Sequence, residues 1–512
     1  MEVKNLATEF FNKFNKSSSD FVTAGMQLKY IAEYKPDSTA IIYIDKSGNT
    51  SSITWNQLFI QSNKLAWMLK EKNIGINSVV MVSWPNCIEH IIATFAIWKI
   101  GACYLPISYK IAEKELREIT NTITPSMAFS EFNIPGALET LNIKMMYEKI
   151  KNQPEDMPED IVVNPNMISL SGGTTGKLKL ICQYIPSGVS DEILMRWFQM
   201  SGMGFEQCQL LVGPLFHGAP HTAAFNGLFS GNTLIIPRNL CPCNILSLIK
   251  KYKVEYMQSV PVLLNRITRI PGIKKEDFVS IKAICHTSGF CSKELKMRMI
   301  KLLGAEKIYE IYSMTEVIGL TCIRGDQWLK HQGSVGLPVG DGKISIRDCD
   351  GNKLPAYSVG EIYMTSPNKR FITKYMNKNQ LNVTEDGYRS VGDLGYLDND
   401  GYLYFVDRRT DMVVTGGENV FVNEVETALL KHKNIMDAVV IGIPDEEWGR
   451  RVHSIIECKE IIEEEELRKF LKQYLSPYKI PKSFEFVTNI DRSESGKVDR
   501  DKLIKDCICR GV

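Results

Sequence analysis

Apolar residues recur in two rhythms along this chain. From 52 to 73, Trp55, Leu58, Ala66, Trp67 and Leu69 stand among polar positions, which predicts a helix. Residues 78–83 form a short apolar run that predicts a strand. A second helix is expected from about Cys87 to Lys99, after Pro85, and the segment from Gly101 to Ile107 predicts a turn feeding another strand. The alternation returns with strands at 210–215, 233–236, 256–259 and 281–285, separated by helical or loop sequence. Runs that are apolar at nearly every position suit strands covered on both faces, so the expected fold is a layered α/β domain.

Between 343 and 403 the texture changes. Short runs such as KISIRD, GEIYMT and GYLYF sit between Gly, Asp and Asn turns, which predicts a small, largely β subdomain. After Asp411 a helix is expected near 423–432, then the strand MDAVVIGI, another strand near 451–456, and a helix starting in the four-glutamate run 463–466. Acidic side chains are favoured at a helix N-terminus by its exposed amides, so that run is read as a solvated helix start. The fold class is therefore α/β multidomain, with an α+β C-terminal domain.

Composition narrows the partners. The 512 residues carry 61 basic and 59 acidic side chains, interleaved along the chain, so no basic footprint for nucleic acid is expected. The first twenty residues lack the apolar core of an export signal, and the most apolar stretch of the first half, Ile91 to Trp98, is too short to span a bilayer. A cytoplasmic protein without stable membrane insertion is expected; a homo-oligomer is left open. The thirteen cysteines are scattered and odd in number, which predicts reduced thiols. Cys241 and Cys243, and Cys507 and Cys509, lack the spacing of a zinc knuckle.

The sharpest chemical feature is Ser171-Gly-Gly-Thr-Thr-Gly-Lys-Leu-Lys179, directly after the apolar segment MISL. Its glycines permit tight curvature, its threonines offer hydroxyl donors and its lysines oppose phosphate charge. It is not a Walker A loop, because Ser171 replaces the first glycine and Leu178 the Ser or Thr after the lysine. The loop resembles the phosphate-binding signature of the adenylate-forming (acyl-CoA synthetase) superfamily. Further signatures follow in order: Pro214-Leu-Phe-His-Gly218, Tyr312-Ser-Met-Thr-Glu316, Tyr388-Arg-Ser-Val-Gly-Asp393, Arg408 with GGENVFVNEVE after it, and Ser495-Gly-Lys497.

The resemblance covers nearly the whole chain and implies a reaction with ATP, Mg²⁺ and coenzyme A. A carboxylic acid would attack the α-phosphate, releasing pyrophosphate and forming an acyl-adenylate, which coenzyme A then attacks with release of AMP. By the same resemblance Thr174, Thr175 and Lys179 would contact the phosphates, Tyr312 would stack on adenine, Thr315 would bind the α-phosphate, and Glu316 would hold the metal. Asp393 would accept the ribose hydroxyls, Arg408 would bind ribose or phosphate, and Lys497 would bridge carboxylate and α-phosphate. An N-terminal domain over 1–408, a hinge at 409–411 and a mobile C-terminal domain over 412–512 are expected, with Gly416 and Gly417 facing the thiol channel after the domain turns.

His217 is expected to flank the acyl pocket. A His217/His221 metal pair is disfavoured, because Pro220 weakens a regular helix there and no third ligand is implied; His221 is read as structural. Departures from the family pattern include Gly172, Leu178, Leu180, Asp407, Thr410 and Arg450. Passages such as LVGPLFHGAPHTAAFNGLF most resemble ligases of the family that act on bile acids, so a bile acid such as cholate is the expected substrate, with Ala219, Ala223, Ala224, Phe225, Gly227 and Phe229 bordering its cavity or packing the core. Alternatives are a ligase for another bulky, aromatic or fatty acid, transfer to a carrier-bound thiol, and a nucleotide-binding regulatory protein without activity.

Overall fold

Two mixed sheets share one hydrophobic core with the helices packed between and against them, and that shared layer explains the unbroken apolar runs. The computed structural model describes residues 21–162, 165–172, 178–184, 188–365, 372–376, 381–408, 411–415, 418–494 and 496–510. In the larger sheet the strands Thr39–Ile44, Thr233–Pro237, Cys208–Leu210, Tyr256–Ser259, Ala283–His286 and Ile308–Ser313 run parallel. In the second, Cys103–Pro106, Val79–Ser83 and Met127–Ser130 run parallel. Successive residues of these strands enter different cores. Val80 and Val82 join the shared layer while Met81 packs on the far side; Leu234 and Ile236 do the same, with Ile235 turned outward to a second set of helices. Each face is dry, so period two is invisible in the sequence.

Three expectations needed adjustment. The helix expected over 52–73 is Trp55–Glu71, preceded by the strand Thr50–Thr54. Thr54 stops the strand and starts the helix: its Oγ1 accepts from Gln57 N–H at 3.2 Å while Gln57 Oε1 accepts from Thr54 N–H at 2.9 Å, a capping box. The strand expected at 210–215 is only Cys208–Leu210, because Gly213 at φ +112° and Pro214 turn the chain toward the sheet's end. Within the expected β subdomain, Lys343–Arg347, Gly360–Thr365, Asn382–Val383, Arg389–Leu397 and Leu403–Arg408 form one sheet, but Ile372–Tyr375 crosses to pair with Leu178–Tyr184 of the N-terminal half.

Beyond Asp411, the strands Ile435–Asp445, Gly449–Cys458 and Ser483–Val487 form a sheet of their own. Ala438 and Val440 face the helices Val422–Leu430 and Glu464–Leu471, whereas Val439, Ile441 and Ile443 face the helix Arg500–Arg510. Glu464, Glu465 and Glu466 occupy the first turn of their helix, as the acidic run implied. Arg450 donates to Gly442 O at 2.9 Å across the hairpin, which gives that departure a structural role. None of the thirteen cysteines is in a disulfide. Among the described residues no helix is long and apolar enough to cross a membrane.

Gly202 ends the helix Asp191–Ser201 at φ +71° and lies against Ala283 and Tyr309, where a Cβ would collide with both. Tyr309 belongs to the strand that carries Tyr312. Gly202→Ala is expected to destabilise the protein by about 1–3 kcal/mol through overcrowding and an unfavourable φ. A lowered urea midpoint with unchanged slope checks this; an unaltered midpoint would show that the contact relaxes freely.

Candidate active site

Parallel strands open a crevice beyond their C-terminal ends, and here those ends are Ser259, His286 and Ser313. Tyr312, one residue before its strand ends, donates its hydroxyl to Asp393 Oδ2 at 2.7 Å. Asp393 is the register partner of Arg408 across the β subdomain, and Arg408 Nε lies 3.5 Å from Asp393 Oδ1. Burial raises the Asp393 carboxyl above its usual range, while Arg408 and the Tyr312 hydroxyl pull it back. Thr315 and Glu316 follow in the turn before the strand Leu320–Arg324; Glu316 is buried on the cavity wall. Gln183 Nε2 donates to Thr315 O at 3.4 Å, tying that turn to the strand that carries Lys179.

Gly172 and Leu178, on either side of the Gly-rich segment, pair in antiparallel strands, an architecture unlike the strand-to-helix setting of a Walker A loop. Thr174 and Thr175 lie outside the described residues, as do Gly416, Gly417, Arg409 and Thr410. Lys179 lines the cavity.

Lys497 reaches the same cavity from the C-terminal unit. Its approach is held by Glu494, which pairs with Lys110 at 2.6 Å and accepts from the Tyr109 hydroxyl at 3.2 Å. Gly496, at φ +77°, passes so close that a Cβ would lie 2.8 Å from Val262. Lys497 is exposed within the cleft, but the surrounding protein dehydrates its ammonium and lowers its pKa. Arg408 lowers it further, and Glu316 and Asp393 oppose. The C-terminal unit is also fastened by Arg266 to Glu457 at 3.0 Å and by Asn265 Nδ2 to Met436 O at 2.8 Å. Sequence reasoning missed these seats, since nothing in Lys110 or Glu494 alone marks a partner 384 residues away.

At the junction, Asp407 is 1% exposed and accepts from Arg408 N–H at 2.8 Å and from Asn423 Nδ2 at 3.0 Å. Burial pushes its carboxyl up to about 7, against the pull of the Arg408 and Asn423 amides. Asp411 pairs with Arg500 at 3.2 Å, and Arg500 also bonds Glu426 at 3.0 Å. The carboxyl at 407, where the family often has glycine, thus links the β subdomain to the helix Val422–Leu430.

His217 immediately precedes the helix Gly218–Phe229 without a side-chain capping bond, and Pro220 sits in the first turn, where its missing N–H costs nothing; the expected disruption does not occur. Burial holds His217 down to about 4, with Lys497 lowering it further and Glu494 opposing. One turn on, His221 lies 5.2 Å from the Tyr104 ring, 5.6 Å from Trp98 and 4.5 Å from Phe225. His217, Ala219, His221, Phe225 and Phe229 line a cavity of about 1670 Å³, whereas Ala223, Ala224 and Gly227 turn into the core. His221, read from sequence as structural, stands in the cavity wall; the spacing of His217, His221, Phe225 and Phe229 at every fourth residue is the signal that marks this face. No third metal ligand joins the His217/His221 pair among the described residues.

A single carboxylate can suit Mg²⁺, which takes waters and phosphate oxygens as its other ligands, and Glu316 is the side chain on the cavity wall that could hold it. The cavity has room for a nucleotide and an acid side by side.

Comparison with known proteins agrees with this arrangement. Residues 28–371 match the AMP-binding enzyme family and residues 424–497 match the AMP-binding enzyme C-terminal domain. The chain belongs to the AMP-binding enzyme family, as an AMP-forming acid–thiol ligase of the acyl-CoA synthetase superfamily. It is 28% identical to a 2-succinylbenzoate–CoA ligase of Bacillus licheniformis, over 93% of this chain and 98% of that one. It is 26% identical to a long-chain-fatty-acid–CoA ligase of Bacillus subtilis, over 92% of each. Among solved structures, the o-succinylbenzoate CoA synthetase of Bacillus subtilis with ATP and magnesium ion superposes with a TM-score of 0.78 at 25% identity, covering 94% of this chain and 100% of that one. The same enzyme with its acyl-adenylate intermediate gives 0.77 at 25%, covering 94% and 98%. These relatives do not support the bile acid expectation over other acids.

The buried histidines set a pH dependence. His90 and His217 are held at about 4 and His221 at about 3, each by burial first, so the unfolded chain takes up protons near pH 6.5 that the folded chain refuses. Their stabilisation is complete above pH 6.5 and is lost as pH falls toward 4. Asp407 acts in the opposite sense, since its raised pKa lets only the folded state bind a proton between about 4 and 7. His286, buried beside Lys296, is held lower still and adds to that uptake, so the histidine protons outweigh the proton on Asp407 as the chain unfolds. The urea midpoint is expected to fall from pH 6.5 to 5; a flat or rising midpoint would contradict the neutral histidines.

Proposed function

We propose that the chain activates a bulky, ring-bearing carboxylic acid as its acyl-adenylate and transfers the acyl group to coenzyme A. The observation that carries this reading is the meeting of Lys497 with Glu316, Asp393 and Arg408 at a cavity whose other wall is His217 and an aromatic helix face. Two anionic reactants must be brought together, and fixed cations lower that repulsion without reorganising during the reaction. In this reading Lys497 bridges carboxylate and α-phosphate, and Arg408 binds ribose or phosphate. Asp393 exchanges its Tyr312 contact for the ribose hydroxyls, with the Tyr312 ring against adenine. Lys179, Thr174, Thr175 and Thr315 hold the phosphates, and Glu316 would hold the Mg²⁺ that offsets their charge. Residues 1–408 and 412–512 then act as two bodies turning about 409–411, and the turn brings Gly416 and Gly417 to the thiol channel.

The similarity to 2-succinylbenzoate–CoA ligases supports an aromatic acid as the first choice. A bile acid is the second, supported by the breadth of the cavity. The test supplies the purified chain with ATP, Mg²⁺, coenzyme A and equimolar 2-succinylbenzoate, cholate and palmitate, and identifies acyl-CoA products by mass spectrometry. One of the two ring acids is expected to exceed palmitate at least about tenfold in kcat/KM, as a pocket built around aromatic walls and not a narrow tunnel would select. Palmitate as the best substrate would overturn the ring-acid reading and leave the ligase chemistry intact. Absence of acid-dependent pyrophosphate release with all three would contradict the proposed substrate class altogether.

A further inference from the structure

The acid side of the cavity is apolar in its walls but not in its details. His221, 5% exposed, has an Nδ1 with no hydrogen bond of normal geometry, and the Leu215 backbone is the polar group that approaches its ring. Gln258, 7% exposed, lies on the strand Tyr256–Ser259, and its Oε1 is likewise without a partner. The indole Nε1 of Trp197 is a third such atom, on the helix Asp191–Ser201. All three side chains line the cavity. They come from three separate elements around one apolar cluster, in which Trp197 packs with Met200, Ala223 and Tyr256. Tyr256 shares its strand face with Gln258, two residues on.

Buried polar atoms are normally paired, because one left unpaired forfeits the water it gave up. Three such atoms on the lining of one cavity are open to a ligand whose own polar groups can satisfy them. Trp197 can only donate, Gln258 Oε1 can only accept, and a neutral imidazole nitrogen does either according to tautomer. A hydroxyl, which both donates and accepts, or an oxo group, which accepts, completes such a set; a hydrocarbon body leaves it unsatisfied. His221 is suited to this because it stays neutral: burial holds it far below working pH, so it is a dipole matched to a neutral oxygen and not a cation seeking a second carboxylate.

We propose that this acid-binding cavity selects ring acids whose body carries hydroxyl or oxo groups, with His221 and Gln258 as the residues that read those oxygens. The proposal rests on the ring-acid reading above and specifies its chemistry. It asks for discrimination of the kind seen when a site built to bond a substrate oxygen meets the analogue lacking it, about 10- to 100-fold per unpaired group.

Two matched pairs test it, each differing only in oxygens of the body: cholate against 5β-cholanate, and 2-succinylbenzoate against 2-(3-carboxypropyl)benzoate. Acid-dependent pyrophosphate release is measured for the wild-type chain and for His221→Phe, Gln258→Leu and His221→Asn. In at least one pair the wild type is expected to prefer the oxygenated member by about 10-fold or more in kcat/KM. His221→Phe keeps a ring against Tyr104 and Phe225, and Gln258→Leu keeps volume; each is expected to collapse the ratio toward one. His221→Asn restores a polar atom near the Nδ1 position and is expected to recover part of the ratio. A wild-type ratio near one in both pairs would overturn the proposal, and so would variants that lower both members equally, since that is what loss of packing alone does. If none of the four acids releases pyrophosphate while palmitate does, the ring-acid reading fails first and this proposal falls with it.

Discussion

A lysine ammonium in a cleft that already holds an arginine is the constraint around which this molecule is organised. Lys497 is dehydrated in the cleft and repelled by Arg408, and the carboxylates of Glu316 and Asp393 oppose those penalties. Two cations facing one cavity are costly when the cavity is empty and favourable when polyphosphate and carboxylate fill it. The arrangement is thus complementary to anions that the protein must itself bring together. The rest of the fold serves that placement. Tyr312 and Asp393 are fixed by neighbouring sheets, Arg408 is set by strand register opposite Asp393, and Lys497 is held by contacts that bind the C-terminal unit to the larger one.

Those contacts differ in kind from the ones that build the core. The shared apolar layer buries Trp55, Trp84, Phe95 and Tyr104 almost completely, and such packing has no second arrangement. The seat of the C-terminal unit consists of ion pairs, single carbonyl bonds and the close passage of Gly496, each worth little alone. Under the proposed reaction, a rigid half that would bind the reactants and a lightly seated half that would deliver Lys497 suit two steps with different geometries. The buried Asp407 carboxyl and the Asp411 to Arg500 to Glu426 chain sit where the two halves join, so the junction is built from polar bonds that can be exchanged without opening a hydrophobic core.

Much of this was legible in the sequence, and the unread parts have physical reasons. The strands of the larger half were found because burial on both faces makes them apolar throughout, and the acidic helix start at Glu464 followed from the helix dipole. The boundary at Thr54 was missed because β-branched residues and a cap stand side by side there, and periodicity cannot separate a strand from the helix it feeds. The crossing of Ile372–Tyr375 to the other sheet was unreadable, since strand pairing between distant segments leaves no local mark. Ordered motifs indicated Tyr312, Glu316, Asp393 and Lys497, and these meet at one cavity. The place of His221 was not read from the sequence, although its spacing with His217, Phe225 and Phe229 marks one helix face; the structure packs it against the rings of Trp98, Tyr104 and Phe225, on the lining of the cavity.

The central claim is that Lys497 serves the first step and not the second. Its most direct measurement compares the two half-reactions in Lys497→Ala after circular dichroism has shown the variant folded. Acid plus ATP measures adenylation, and chemically prepared acyl-adenylate plus coenzyme A measures transfer, both followed by rapid quench. Loss of one preorganised donor to the α-phosphate transition state is expected to slow adenylation by about 10²- to 10³-fold, with conversion of supplied adenylate near the wild-type rate. Equal impairment of both steps would contradict the account, because it would mean that Lys497 remains in the site when the thiol attacks.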